Sequence, residues 1–288
     1  MQPCLTLDDA LRAAQAAGLP RLDAQWLLLH ALGRSLDERA WLLAHGNEAL
    51  PPAAAGRLAA LIQRRLEGEP LAYLVGQRGF YGLTLQVDAR VLDPRPDTET
   101  LVDWALELQP PDAAIDVLDL GTGSGALALA VQAQRPHARV WAVDASLDAL
   151  AVAAANGARL GLPVHWLHGD WWDGWRPYPA GTATEPPARW DLVLSNPPYL
   201  ADDDPHWPTL RHEPPQALRA GPDGLAALRT IIAGAPARLH PGGWLLLEHG
   251  WDQADAVAAL LRAHGFGAPV HRRDLGGHVR CTGAAWLG

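Results

Sequence analysis

From residue 115 to the C-terminus, short apolar runs alternate with helical stretches, and no other feature of the chain restricts the fold as strongly. The runs occupy 115–120, 138–144, 163–170, 189–196, 242–250, 268–274 and 278–286, and helical patterns begin near 124, 147, 224 and 252. Short apolar runs bounded by Gly, Asp or Asn read as buried strands. Strands separated by helices wind into a mostly parallel sheet with helices on its faces. The last two runs, joined by Asp274-Leu275-Gly276-Gly277, predict an antiparallel edge. Segment 178–188, rich in Pro, Ala and Thr, reads as an irregular loop.

The first third of the chain has a different texture. Residues 5–67 read as a bundle of short helices. Thr6 is placed to cap the first, with Asp8 and Asp9 in its opening turn. Leu22, Trp26 and Leu29 recur at helical spacing, and Pro51-Pro52 opens a helix carrying Leu58, Leu61, Ile62 and Leu66 on one face. Residues 78–92 alternate around Gly79 and Gly82 and predict a β-hairpin. Asp97-Thr98-Glu99 then starts an amphipathic helix through Leu108. These signals divide the chain into a helical domain at 1–75, a linking hairpin at 76–93 and an α/β domain at 94–288.

Composition removes several chemistries. All 23 basic side chains are arginine, so no Schiff-base, P-loop or general-base lysine exists. The net charge of −9 is concentrated in 90–288, which carries −8 of it. That is the opposite of a phosphate-clamping surface, so no direct nucleic-acid contact is expected. Cys4 and Cys281 form no CxxC pair and no zinc spacing, so no metal is expected and a reducing compartment is. The N-terminus lacks a basic start followed by an apolar run, and no apolar stretch reaches 18 residues. A cytoplasmic monomer without membrane attachment is the expectation.

The motifs sit where strands end. Asp119-Leu120-Gly121-Thr122-Gly123-Ser124-Gly125-Ala126 closes a strand and opens a helix. Its glycines let backbone approach a ligand, and the helix start should offer free N–H groups. The spacing fits both a dinucleotide loop and the loop that holds S-adenosylmethionine (AdoMet). Asp144, ending the next strand, is placed to accept ribose hydroxyls, which both ligands carry. Asp170-Trp171 ends the third strand, where a carboxylate and a ring can face adenine; Trp172 and Trp175 compete for the role.

Ser195-Asn196-Pro197-Pro198-Tyr199 closes the fourth strand. The asparagine oxygen and a neighbouring carbonyl can each accept a hydrogen from one NH₂ group. Pro197 and Pro198 fix the backbone, and Tyr199 offers a stacking face. The set suits a planar nitrogen, an amide or an amino group on a base, whose delocalised lone pair makes it a weak nucleophile.

On these residues the chain resembles AdoMet-dependent methyltransferases, and more closely the family that methylates a glutamine side-chain nitrogen in peptide chain release factors. The resemblance also rests on Pro70–Gly76, Phe80-Tyr81-Gly82, Pro94–Glu99, Glu213-Pro214, Gly221–Leu225 and Leu247-Glu248. It implies a Rossmann-like class I AdoMet methyltransferase sheet with an N-terminal helical bundle and a linking hairpin. It implies AdoMet contacts at Asp119, at Gly121 to Gly125 with Thr122 and Ser124, and at Asp144, Asp170, Trp171 and Asn196. It implies that Asn196, Pro197, Pro198 and Tyr199 hold the glutamine of a Gly-Gly-Gln loop. The helical domain would help dock the release factor, a protein of translation termination. Gly79 stands where the family often has an acidic residue, and 174–189 looks longer than usual.

The resemblance leads to one displacement, in which the amide nitrogen attacks the sulfonium methyl in line. Three rivals share parts of the pattern: an N6-adenine methyltransferase on DNA or RNA, an NAD-dependent oxidoreductase, and a non-catalytic protein on the same fold. The acidic charge weighs against the first, the unexplained Asn-Pro-Pro-Tyr against the second, and the intact motifs against the third.

Overall fold

The computed structural model describes residues 5–179 and 185–288, so Cys4 and the 180–184 part of the expected loop lie outside the described residues. The chain divides into two compact units, Met1–Gln77 and Arg78–Gly288.

The first unit contains α1 (Leu7–Ala16), α2 (Arg21–Leu32), α3 (Arg39–His45), α4 (Pro52–Leu66) and α5 (Leu71–Val75). Thr6 caps α1 through a reciprocal pair: its hydroxyl accepts from the Asp9 N–H, and Asp9 accepts from the Thr6 N–H, each at 3.1 Å. Gly33 ends α2 in the left-handed conformation at φ 72°, which glycine adopts without Cβ strain. The buried surface of α2 is broader than its sequence spacing suggested. Ala24, Leu27, Leu28, Leu29 and Ala31 are fully enclosed, while Leu22 is 42% exposed. A helix packed by neighbours on several sides loses the single-stripe signature. Leu66 also departs from the expected face of α4, at 45% exposed.

A hairpin, β1 (Gln77–Phe80) and β2 (Leu83–Gln86), starts at the last residue of the first unit and opens the second, turned by Tyr81 and Gly82 at φ 46° and 76°. A 3₁₀ turn, Pro96–Thr98, leads into α6 (Glu99–Leu108). There follow β3 (Asp116–Leu120), α7 (Ala126–Gln134), β4 (Arg139–Asp144), α8 (Leu147–Leu160) and β5 (Val164–Asp170). Then come β6 (Asp173–Tyr178), β7 (Trp190–Ser195), α9 (Ala226–Gly234), β8 (Leu239–Glu248), α10 (Ala254–Ala263), β9 (Val270–Arg273) and β10 (Val279–Ala285).

The sheet order is β6-β5-β4-β3-β7-β8-β10-β9. The five strands β5, β4, β3, β7 and β8 are parallel, and β10 and β9 form the expected antiparallel edge. The chain leaves β3 toward β4 and β5, then returns to β3's other side at β7. That reversal opens a crevice at the carboxyl ends of β3 and β7.

Among the described residues, β6 is the one strand the sequence reading missed. It pairs antiparallel with β5, Trp166 opposite Tyr178 and Asp170 opposite Asp173. An edge strand needs hydrogen bonds on only one side, so it accommodates Pro177 and lacks a clean apolar alternation. Segment 174–189 therefore starts as sheet, not as loop.

Candidate active site

Ser195 joins the two halves of the crevice. Its hydroxyl donates to the Leu120 carbonyl at 2.6 Å, tying the last residue of β7 to the last of β3. The glycine loop and the Asn-Pro-Pro-Tyr segment thus leave the sheet side by side.

The glycine loop is held from below by Asp119. Its carboxylate accepts from the Thr122 hydroxyl at 2.6 Å and from the Ala128 N–H at 3.2 Å, while its other oxygen is buried without a partner. Asp119 is fully enclosed, and burial pushes its pKa up to about 7 against those two bonds. Most of the N–H groups expected to be free are tied within the loop: Gly121 and Thr122 donate to the Val143 carbonyl, Gly123 to Asp144 and Gly125 to the Thr122 carbonyl. The loop's contribution to a ligand is therefore close approach. Gly121 and Gly123 sit at φ 73° and 56° and face a cavity of about 660 Å³.

A carboxyl with a raised pKa lowers stability where it is forced to ionise. Between the unfolded value of 3.8 and about 7, the unfolded chain releases the Asp119 proton and the folded chain keeps it. The contribution of Asp119 to stability is therefore greatest at low pH and falls as pH rises through that window. Asp119→Asn keeps an acceptor for Thr122 and Ala128 without the charge. Thermal melts without ligand should give a variant-minus-parent difference in Tm that grows from pH 5 to pH 8. A difference independent of pH would contradict this account.

Asp144 lines the same cavity, accepting from the Gly123 N–H and the Ser146 N–H at 2.8 Å each. Ser146 caps α8 on Ala149, leaving Asp144 free of that task. Burial raises its pKa, opposed by the bonds from Ser146 and Gly123.

Of the three neighbouring tryptophans, only Trp171 lines this cavity. It occupies the turn between β5 and β6 at φ 47°, a strained conformation for an aromatic residue. Its ring lies over Gly121, where an added Cβ would come within 3.3 Å of it. Trp172 is buried and donates to the Ile231 carbonyl, and Trp175 donates to the Trp171 carbonyl. Asp170 is exposed on the cavity wall.

These features fit an adenosyl ligand. A bare glycine ledge lies under an aromatic ring, with the acceptor carboxylate of Asp144 hydrogen-bonded to the ledge at Gly123. Asp119, Thr122, Ser124 and Gly125 build the loop and do not line the cavity.

Asn196 stands at the junction of this cavity and a second one of about 400 Å³, whose walls include Arg95, Pro197, Tyr199, Trp251 and Arg280. Pro198 lines the first cavity. The Asn196 Nδ2 donates to the Thr98 hydroxyl at 3.1 Å. Among the described residues, no donor reaches Asn196 Oδ1 or the Pro197 carbonyl. The Tyr199 segment is clipped by Gln253, whose Nε2 donates to the Tyr199 and Gly224 carbonyls, and by Leu200, bonded to Leu218 and Ala220. Burial, with Glu248 nearby, pushes the Tyr199 phenol up to about 12, so it stays protonated.

Sequence reasoning missed Gln253 and Thr98 as site partners. Nothing local marks Gln253, which acts only because three loops converge on it. Glu213, part of the Glu213-Pro214 pair on which the resemblance rests, is buried and ion-paired to Arg95.

Comparison with known proteins agrees with this geometry. Residues 7–76 match the PrmC N-terminal domain and residues 98–254 the methyltransferase small domain. The release factor glutamine methyltransferase of Bordetella pertussis is 50% identical over 92% of this chain and 95% of that protein. The protein of the same name from Xylella fastidiosa (strain Temecula1) is 47% identical over 95% and 96%. Two solved structures share the fold. One is a methyltransferase from Pyrococcus furiosus, 16% identical with TM-score 0.53, covering 77% of this chain and 96% of that one. The other is the T. thermophilus 16S rRNA N2 G1207 methyltransferase, in complex with AdoMet and guanosine. It is 22% identical with TM-score 0.52, covering 73% of this chain and 49% of that one. The sheet is that of class I AdoMet-dependent methyltransferases. With both family domains in place and relatives of 47–50% identity matched nearly end to end, this chain belongs to the release factor glutamine methyltransferase family.

Proposed function

We propose that the protein transfers a methyl group from AdoMet to the side-chain amide nitrogen (N5) of the glutamine in the Gly-Gly-Gln motif of peptide chain release factors. The observation that carries this reading is the pair of unbonded acceptors, Asn196 Oδ1 and the Pro197 carbonyl, at the junction of two cavities. One cavity suits the adenosyl ligand and the other suits an extended peptide side chain.

AdoMet, when bound, supplies an electrophilic methyl group on its sulfonium. Gly121, Gly123, Asp144, Asp170 and Trp171 would hold it. Asn196 Oδ1 and the Pro197 carbonyl accept one hydrogen each from the glutamine amide, which fixes the plane and direction of its nitrogen. Correct alignment of a bound pair supplies roughly 7–11 kcal/mol of barrier lowering. Both acceptors also favour the positive charge that nitrogen gains as it is alkylated. One N–H proton then leaves, and no strong base is needed beforehand. Tyr199, kept neutral, offers its ring and does not serve as that base.

The helical unit is assigned to docking the release factor. A cytoplasmic monomer without direct nucleic-acid contact fits the charge of −8 over 90–288. Among the described residues, no helix is long and apolar enough to cross a membrane. Mass spectrometry of a release factor incubated with the protein and AdoMet tests the reading. One added methyl on the Gly-Gly-Gln glutamine is expected, and an unmodified glutamine would refute it.

A further inference from the structure

The mechanism depends on which end of the Asn196 amide faces the substrate. An amide's oxygen and nitrogen ends have nearly the same shape, so packing alone does not choose between them. Only the hydrogen-bond partner on the inner side can.

That partner is Thr98, the last residue of the 3₁₀ turn before α6, 4% exposed. Its hydroxyl receives the Asn196 Nδ2–H at 3.1 Å. It also faces the carboxyl of Glu248, which burial pushes up to about 7 and which the Thr98 hydroxyl, as a donor, pulls back toward its charged form. Glu248 is the last residue of β8 and is 1% exposed, with Oε2 buried and unpartnered. Strand register explains the juxtaposition. Ser195 of β7 pairs with Leu247 of β8, so Asn196 and Glu248 are the next residues on adjacent parallel strands.

We propose that Thr98 and Glu248 are positioning residues that fix the polarity of Asn196. The proposal rests on the reading of Asn196 as the holder of the substrate amide. A carboxylate only accepts, and a hydroxyl has a single proton. Above about pH 7, where Glu248 is ionised, the Thr98 proton is directed at it and the Thr98 oxygen is left as an acceptor toward Asn196. Only the NH₂ end can occupy that position, so Oδ1 turns to the substrate. A flipped Asn196 would set Oδ1 against the Thr98 lone pairs and its NH₂ against the substrate NH₂. Arg280, Arg95, Asp97, Tyr199 and Cys281 also act on Glu248, the two arginines favouring its charge and Asp97, with burial, opposing it. Neither Thr98 nor Glu248 lines either cavity.

Thr98→Val keeps the shape and removes the hydroxyl. Methylation of a release factor by the full chain should show kcat reduced at least tenfold, the size expected for losing one oriented hydrogen bond. AdoMet affinity by calorimetry should stay within about threefold, the shift left when no cavity-lining group is touched. Thr98→Ser should restore most of the rate, and Thr98→Val should add little to Asn196→Ala. Should Thr98→Val fail to bind AdoMet, Glu248→Gln carries the test, because its amide can present either end to Thr98 and should also lower kcat with AdoMet binding intact. A Thr98→Val enzyme as fast as the parent would overturn the proposal. So would a loss that adds in full to that of Asn196→Ala, or a Thr98→Ser variant no better than Thr98→Val. An Asn196→Ala enzyme as active as the parent would instead remove the reading of Asn196 beneath it.

Discussion

Asn196→Ala is expected to lower kcat for release-factor methylation by a factor on the order of 10² to 10³, the range typical for deleting one group aimed at transition-state charge. The physical reason is the poor nucleophilicity of an amide nitrogen. Its lone pair becomes available only if the amide is held while its nitrogen turns positive. Asn196 Oδ1 is the one side-chain acceptor of the pair, and among the described residues no other donor occupies it. The Pro197 carbonyl can still hold one hydrogen, so the release factor should bind with KM changed less than kcat. Asn196 also lines the first cavity, but Gly121, Gly123, Asp144 and Trp171 remain there. AdoMet affinity should therefore fall by less than about tenfold, the range for one lost contact. Radiolabelled AdoMet and a release factor, with calorimetry on the same variant, give both numbers. Methylation near the parent rate in a variant that still binds AdoMet would refute the mechanism.

The parts of the site that were legible in the sequence are those built from neighbours in the chain. Asp119 to Gly125, Asp144, Trp171 and Asn196 each sit at the end of a strand, and in a parallel sheet all such ends lie on one edge. The apolar runs therefore placed the motifs as well as the fold. What stayed hidden depends on pairing across the chain. β6 lacks a pattern because an edge strand is half solvated and tolerates Pro177. The N–H groups of Gly121, Thr122 and Gly123 look free in a one-dimensional reading, since their acceptors, the Val143 carbonyl and the Asp144 carboxylate, belong to another strand. Trp171 could not be told from Trp172 and Trp175 by composition. It is separated from them by a backbone turn at φ 47° that lifts one ring over Gly121, while Trp172 is buried in the core and the partly buried Trp175 packs against it. Thr98 and Glu248 lie 150 positions apart, and only the β7–β8 register brings Glu248 beside Asn196.

Asp144→Ala should weaken AdoMet binding by about 10- to 100-fold, since each hydrogen bond to a charged group contributes about 1.5–3 kcal/mol. The carboxylate is already bonded to the Gly123 and Ser146 N–H groups, and each oxygen retains a lone pair for a ribose hydroxyl. Its removal takes away the ligand's acceptor and also frees the Gly123 N–H that keeps the glycine ledge in place. The cost to the empty fold should be smaller, because burial raises the Asp144 pKa and makes its charge unfavourable until a ligand donates to it. The two effects separate in a melting experiment. At a ligand concentration of about 100 times the parent Kd, AdoMet stabilises the parent by about 2.7 kcal/mol. If Kd rises 100-fold, the same concentration stabilises the variant by only about 0.4 kcal/mol. The AdoMet-induced rise in Tm should therefore nearly vanish in Asp144→Ala while the ligand-free Tm moves little. An undiminished AdoMet-induced rise would show that the ribose is held elsewhere and would sink the assignment of Asp144.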